Sequence, residues 1–226
     1  MLLKKYYFCI QNIAIMLEKF SFNDFKGQLQ TNKNLRFATY GIGSVLGLLV
    51  LYFAYRQFIW APSNEKSKES YYRGLNLAAK DSTDAAINEL EPVVKKFDGK
   101  QGGEVAQFIL ARQYMTKGDF NKALKALEDV DVNDTYVSVY KLGLQADCNS
   151  ELGKYQEALD LYLEAAEQNE NELTTPSFLF KAGLVAEELK NYEEANELYT
   201  RIKGNYLNFS NAKSIDKYIA RTKNRK

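Results

Sequence analysis

A chain of 226 residues, 46% of them hydrophobic and with a formal net charge of +1, holds enough apolar material for one sizeable core; it is neither a disordered polymer nor a multi-span channel. It contains no histidine, which removes the commonest general base and metal ligand, along with the Ser/His and Cys/His nucleophile pairs. Charge is spread unevenly: Ala61 to Thr200 carries 15 Lys/Arg against 26 Asp/Glu, which argues against a nucleic-acid surface, and from Arg201 onward eight basic residues oppose Asp216 alone.

The first apolar run, Tyr6 to Leu17, is too short to span a bilayer. Two readings stand for it: an interfacial helix, or a stretch upstream of a later start at Met16. The second run, FATYGIGSVLGLLVLYFAY from Phe37 to Tyr55, has 19 residues and no charge, and Arg36 and Arg56 bracket it. At ~1.5 Å per residue it covers roughly the hydrocarbon thickness. Tyr52, Tyr55 and Trp60 crowd its far end, as in an interfacial aromatic belt. It is longer than the usual core of a signal peptide and lacks a small-x-small cleavage site, so a membrane anchor is expected rather than a cleaved leader. Lys4, Lys5, Lys19, Lys26, Lys33 and Arg36 precede it, offset by Glu18 and Asp24, which by the positive-inside rule puts the N-terminus in the cytoplasm. Gly43 and Gly47 form a GxxxG pair. It is either a surface for a partner helix or the ordinary glycine content of such spans. Cys9 and Cys148 lie on opposite sides of the span, so no disulfide between them is expected, and Cys148 reads as a buried packing residue.

The expected organisation is an N-terminal cytoplasmic segment over 1–34, a signal-anchor helix over 35–60 and a polar linker over 61–69. A repeat domain over 70–210 and a capping helix with a basic tail over 211–226 follow. Three stretches repeat: Leu110 to Val130, Gln145 to Ala165, and Ala182 to Ile202, in register at Ala123, Ala158 and Ala195. A fainter copy precedes them around Ala86, with Gly74 at its small position. Each copy reads as two amphipathic helices. Small residues (Ala111, Ala146, Gly183) face the alanines, Gly118 and Gly153 close the first helix, and Phe120, Tyr155 and Tyr192 plug the corner. Leu127, Tyr162 and Tyr199 fill the groove toward the next copy. No hairpin of this kind buries its apolar face alone, so stacking stabilises the set. Pro92 predicts a kink or irregularity in the first copy. Thr175 and Pro176 predict an N-cap and first helical position, and residues 99–103 (GKQGG) a flexible connection.

These repeats resemble the tetratricopeptide family over roughly Ser70 to Leu207, best at Leu110, Ala111, Tyr114, Gly118, Ala123 and Leu127. The chain departs from that pattern where Asn149 and Ala186 replace tyrosine and Lys190 replaces the turn glycine. Thr135, Glu170 and Leu207 stand where the closing proline belongs. The resemblance implies an all-α solenoid of about four helix pairs plus a C-terminal capping helix. Its concave groove would be lined by Tyr71 and Leu75, then Phe108, Arg112 and Met115, then Tyr140 and Asp147, then Phe180, Leu184 and Glu187. Individual rings among these read either as groove anchors or as core between repeats. Phe108 and Arg112 replace two residues of the family's clamp for acidic chaperone tails, so that ligand is not expected.

A cytoplasmic stub, one span and an acidic repeat domain together are similar to the YfgM-like ancillary subunits of the bacterial Sec translocon. That likeness implies a non-enzymatic inner-membrane adaptor with a periplasmic domain. Its expected partners are Sec translocon subunits, a membrane-anchored prolyl isomerase of the PpiD type, or exported clients. A scaffold for another envelope assembly or secretion complex is the alternative. No cofactor, metal, nucleic acid or small-molecule substrate is expected. The paired glutamates Glu187/Glu188 and Glu193/Glu194 point in different directions on a helix, and Asp129, Asp131 and Asp134 lack calcium-loop spacing.

Overall fold

Nineteen uncharged residues followed by a strongly periodic stretch give an all-helical architecture among the described residues. The computed structural model of the protein describes residues 26–27, 29, 31–131 and 134–225. The stretch Tyr6 to Leu17, the second start at Met16, Cys9 and the lysines before Lys26 lie outside the described residues. The chain divides into two units, Met1–Ala61 and Pro62–Lys226.

In the first unit, helix α1 (Lys33–Tyr55) is capped by Asn32, whose Oδ1 accepts from the N–H groups of Asn34 and Leu35 at 3.1 and 3.2 Å. None of its residues is buried, and it is long and apolar enough to cross a membrane. A π-helical turn, Arg56–Trp60, follows, with the Arg56 guanidinium 5.0 Å from the centre of the Trp60 ring. A Cβ added at Gly43 or Gly47 would meet no atom within 4 Å, so nothing in the described chain packs on that stripe.

The second unit is a stack of helix pairs. Helices α2 (Ala61–Ser70) and α3 (Tyr72–Ala78) lead into α4 (Thr83–Lys96). Pairs α5 (Gln101–Lys117)/α6 (Phe120–Glu128), α7 (Thr135–Glu151)/α8 (Tyr155–Gln168) and α9 (Thr175–Glu188)/α10 (Tyr192–Asn205) follow, and α11 (Leu207–Lys213) and α12 (Ile215–Lys223) close the end. Ala86, Ala123, Ala158 and Ala195 are all fully buried, as are Ala111 and Ala146. Gly74 and Gly183 are small because a larger partner fills their space. A Cβ there would stand 2.4 Å from Leu90 and 2.5 Å from the Tyr199 ring respectively. Tyr199 therefore packs on the first helix of its own pair as well as on Tyr218 of α12. Tyr162 reaches forward, stacking on Phe178 of the next pair.

Four turns share one geometry. Asp81, Gly118, Gly153 and Lys190 all have φ between +55° and +80°. At each, the left-handed residue donates its N–H three residues back and the next residue donates five back, as Gly118 does to Met115 and Asp119 to Tyr114. Only two of the four are glycine.

Several expectations need correction. The polar segment before the repeats is helical, and Asn64 and Ser67 are buried in it. Residues 99–103 are not a flexible connection throughout. Gly102 and Gly103 form the first turn of α5, where added Cβ atoms would stand 1.8 Å from the Ser67 carbonyl oxygen and 1.9 Å from that of Phe97. Helix α4 runs on through Pro92, which lies on its exposed side. The cap of α9 is one residue earlier than expected, at Thr174, and Asn171 Oδ1 accepts from the Leu173 and Thr174 N–H groups at 2.8 Å. The C-terminal cap is two helices rather than one, and α12 is amphipathic, with Ile215 and Thr222 buried.

Candidate protein-binding groove

The first helix of each pair carries the expected groove residues, and neighbours in the stack determine how many remain open. Leu75, Arg112, Tyr140 and Leu184 are exposed. Tyr71, Phe108 and Met115 are half-buried against the N-terminal core, and Tyr71 stacks on Tyr72 at 4.6 Å. Phe180 lies under the cap, edge-on to Tyr218 at 4.9 Å and against Phe209 at 6.1 Å.

Both acidic members of the set are already engaged. Asp147 accepts from the Tyr162 hydroxyl, which comes from its own pair, and from Lys181 Nζ of the next pair at 2.6 and 2.9 Å. Glu187 accepts from the Tyr199 hydroxyl at 2.8 Å and from Arg221 of α12 at 2.5 Å. Each carboxylate thus ties its own pair to the following one. Burial, reinforced by the neighbouring carboxylate, pushes both tyrosine hydroxyls up, so they stay protonated donors. The bond to Glu187 likewise raises Arg221. In both cases the cation lies 34 residues beyond its acid, close to one repeat length, with opposite sign. That spacing is a sequence signal which would have marked Asp147 and Glu187 as inter-pair ties.

Sequence reasoning missed a notch between α7 and α9. It has a volume of 250 Å³ and is lined mainly by apolar surface, with Tyr140, Gly143, Leu144, Leu173 and Phe178 joined by the polar Asp147, Thr174, Ser177 and Lys181. Gly143 lets the Phe178 ring close in beside it, because a Cβ there would stand 2.1 Å from that ring. Leu173, at 72% exposure, forms one lip, and it fell in a connection where periodicity gives no signal. Two wider clefts lie near the C-terminal end around Lys190, Tyr192 and Arg225, with mixed charge. Among the described residues no group of three or more Cys, Asp or Glu could hold a metal ion.

Paired helices and glycine-like turns at repeat spacing agree with comparison to known proteins. A family model described as a tetratricopeptide repeat-like domain matches residues 35–201. The chain belongs to the tetratricopeptide repeat-like family. Solved structures of similar fold include MamA, with a TM-score of 0.51 and 22% identity over 67% of this chain and 93% of that one. A kinesin light chain protein of Podosopora anserina with TPR-like repeats scores 0.56 at 16% identity, over 70% and 86%. The apo form of RapI scores 0.55 at 16% identity, over 89% and 73%. Identities this low show the tetratricopeptide fold alone. No curated protein matches the chain. The fold is suited to protein–protein interaction and is typically a non-catalytic scaffold.

Proposed function

We propose that this tetratricopeptide protein is a non-enzymatic adaptor anchored in the bacterial inner membrane by α1, with its N-terminus cytoplasmic and its repeat domain periplasmic. The proposed division is a cytoplasmic segment over 1–34, the anchor over 35–60 and a joining segment over 61–69. The repeats would occupy 70–210 and the cap with its basic tail 211–226. The reading assigns it to the ancillary subunits of the Sec translocon. There it would hold Sec components, a membrane-anchored prolyl isomerase of the PpiD type, or exported clients along the groove from Tyr71 to Glu187. Gly43 and Gly47 offer a second contact surface within the bilayer.

One observation carries the reading. A helix with an uncharged run from Phe37 to Tyr55 and no buried residue precedes a stack suited to protein contact, and the family match itself begins at residue 35, inside that helix. Exposed apolar side chains from Phe37 to Phe53 have no counterpart on a water-facing helix and are satisfied by lipid. Protease treatment of spheroplasts tests the topology, and photocrosslinking from Arg112 and Leu184 in intact membranes tests the partners. A C-terminal domain shielded from external protease, or crosslinks that recover neither Sec components nor a periplasmic chaperone, sinks the assignment. Copurification of a different envelope complex in mild detergent would transfer the adaptor role to that assembly.

A further inference from the structure

Arg56 interrupts an apolar surface that continues beyond it. Phe53 on one side is 63% exposed, and Phe58 and Ile59 on the other are 78% and 61% exposed. With α1 across a bilayer, a guanidinium flanked in this way sits at the depth of the lipid headgroups and not in bulk water. It is also held in place. Arg56 Nη1 donates to the Tyr52 hydroxyl at 3.3 Å, and the guanidinium carbon lies 5.0 Å from the centre of the Trp60 ring.

The π-helical turn builds this clasp. Tyr52 and Arg56 stand at i and i+4 and share a helix face. Pro62 has no N–H to offer the Phe58 carbonyl, which loosens the turn before it. The Ala61 N–H bonds instead to the Arg56 carbonyl oxygen, and the wider turn sets Trp60 over Arg56. No carboxylate completes the arrangement. Arg56 forms no ion pair among the described residues, and the next carboxylate along the chain, Glu65, is bonded to Lys68 at 2.7 Å. The remaining N–H groups of the guanidinium meet no acceptor among the described residues.

We propose that Tyr52, Arg56 and Trp60 form a binding site for the phosphate of one phospholipid with a net negative headgroup. The planar fork takes two phosphate oxygens, and the acyl chains run along the apolar face of α1. A zwitterionic headgroup competes poorly, because its own ammonium already neutralises the phosphate. This rests on α1 being the membrane anchor and gives that anchor a ligand.

Trp60 is the chain's one tryptophan, so its fluorescence reports on this site alone. The full chain is reconstituted in vesicles of phosphatidylglycerol and phosphatidylcholine in equal parts, with brominated acyl chains on one lipid or the other. Brominated phosphatidylglycerol should quench Trp60 more than brominated phosphatidylcholine, with a relative affinity of about threefold or more. Arg56→Gln should bring that ratio to about one, and Arg56→Lys should keep only part of it, since the charge stays and the fork is lost. Tyr52→Phe should lower it by up to about twofold, and Arg36→Gln, at the other end of α1, should leave it unchanged. Millimolar inorganic phosphate at matched ionic strength should not alter the ratio; loss of selectivity there would make a soluble anion the ligand and overturn the lipid site. Equal quenching by the two lipids, or selectivity that survives Arg56→Gln, overturns the site and leaves the anchor standing. Quenching by neither lipid would show that α1 is outside the bilayer, and the anchor and the site would fall together.

Discussion

At the scale of single residues, Lys190 carries a backbone conformation that its side chain opposes. It holds φ +62° where Gly118 and Gly153 hold +80° and +74°, and its N–H still bonds to the Glu187 carbonyl oxygen at 2.9 Å. A left-handed non-glycine residue costs ~1–2 kcal/mol, part of which a glycine gives back through greater freedom in the unfolded chain. Lys190→Gly should therefore stabilise the repeat domain by ~0.5–1 kcal/mol, seen as a higher urea midpoint at unchanged slope. Asp81, at +55°, should gain less, because Asp visits this region more readily than Lys. A second residue-scale effect concerns Glu104, whose carboxylate accepts from the Asp131 N–H at 2.6 Å. Burial raises its pKa, outweighing that hydrogen bond, which acts to lower it. A raised folded value means that its contribution is most favourable below the ordinary carboxylate range and is lost as pH rises through the folded value. Glu104→Gln should thus flatten the acid side of the stability profile, in the sense that wild type loses more stability than the variant between about pH 4 and 7. Parallel urea titrations at those two pH values check this, and identical slopes against pH would remove Glu104 from the account.

Among elements, α2 shows what periodicity could not reveal. Helix α5 begins at Gln101, and the residue before it, Lys100, gives its first turn no side-chain acceptor. The acceptors come from α2: Asn64 Oδ1 takes the Gln101 N–H at 2.9 Å and Ser67 Oγ takes the Gly102 N–H at 3.0 Å. This is an N-cap supplied from 37 and 35 residues away. Ser67→Ala should cost ~1 kcal/mol, as loss of a cap does. Gly102→Ala should cost more, ~2–3 kcal/mol, because its Cβ would stand 1.8 Å from backbone and not from a yielding side chain. Urea denaturation of the two variants gives the order, and a neutral Gly102→Ala would show that the approach of α2 to α5 is not tight. The repeats themselves were legible, since Ala123, Ala158 and Ala195 recur on one helix face and their burial follows from 3.6 residues per turn. The long apolar helix α1 was legible from its length and lack of charge. The polar string Pro62 to Ser70 was not, because its apolar content is too low to predict helix and its stabilising contacts are tertiary. The same reason hid the notch. Leu173 lies between helices, where local pattern carries no information, and the engagement of Asp147 depends on Lys181 one repeat away.

Across the whole repeat domain, the buried apolar residues fall into two clusters, with α7 contributing to both. The N-terminal cluster runs from Ala86 to Leu127 and takes Cys148 from α7; the C-terminal one takes Val139 and Ala146 from α7 and extends to Ile215. The second is larger and contains the lattice of Phe180, Tyr199, Phe209 and Tyr218 beneath the cap, with ring centroids 4.9–6.1 Å apart. In a stack where each pair touches only its neighbours, stability is close to a sum of pair and interface contributions, so the two halves need not open together. Aromatic pairs at these distances add ~0.5–1.5 kcal/mol each beyond their area, which weights the C-terminal half. Cys148 reports on the other side of the boundary: it is fully buried, and its thiol is pushed up to about 11, chiefly by burial. In a Cys9→Ser background, a thiol reagent at pH 8 should react only when the N-terminal cluster opens. Rising urea should therefore expose Cys148 before the amides of α9 and α10 lose their hydrogen-exchange protection. Coincident transitions by the two probes would mean that the domain unfolds as one unit. The early opening of the N-terminal pairs would then have no physical basis, and the lattice under the cap would be no stronger than the core it adjoins.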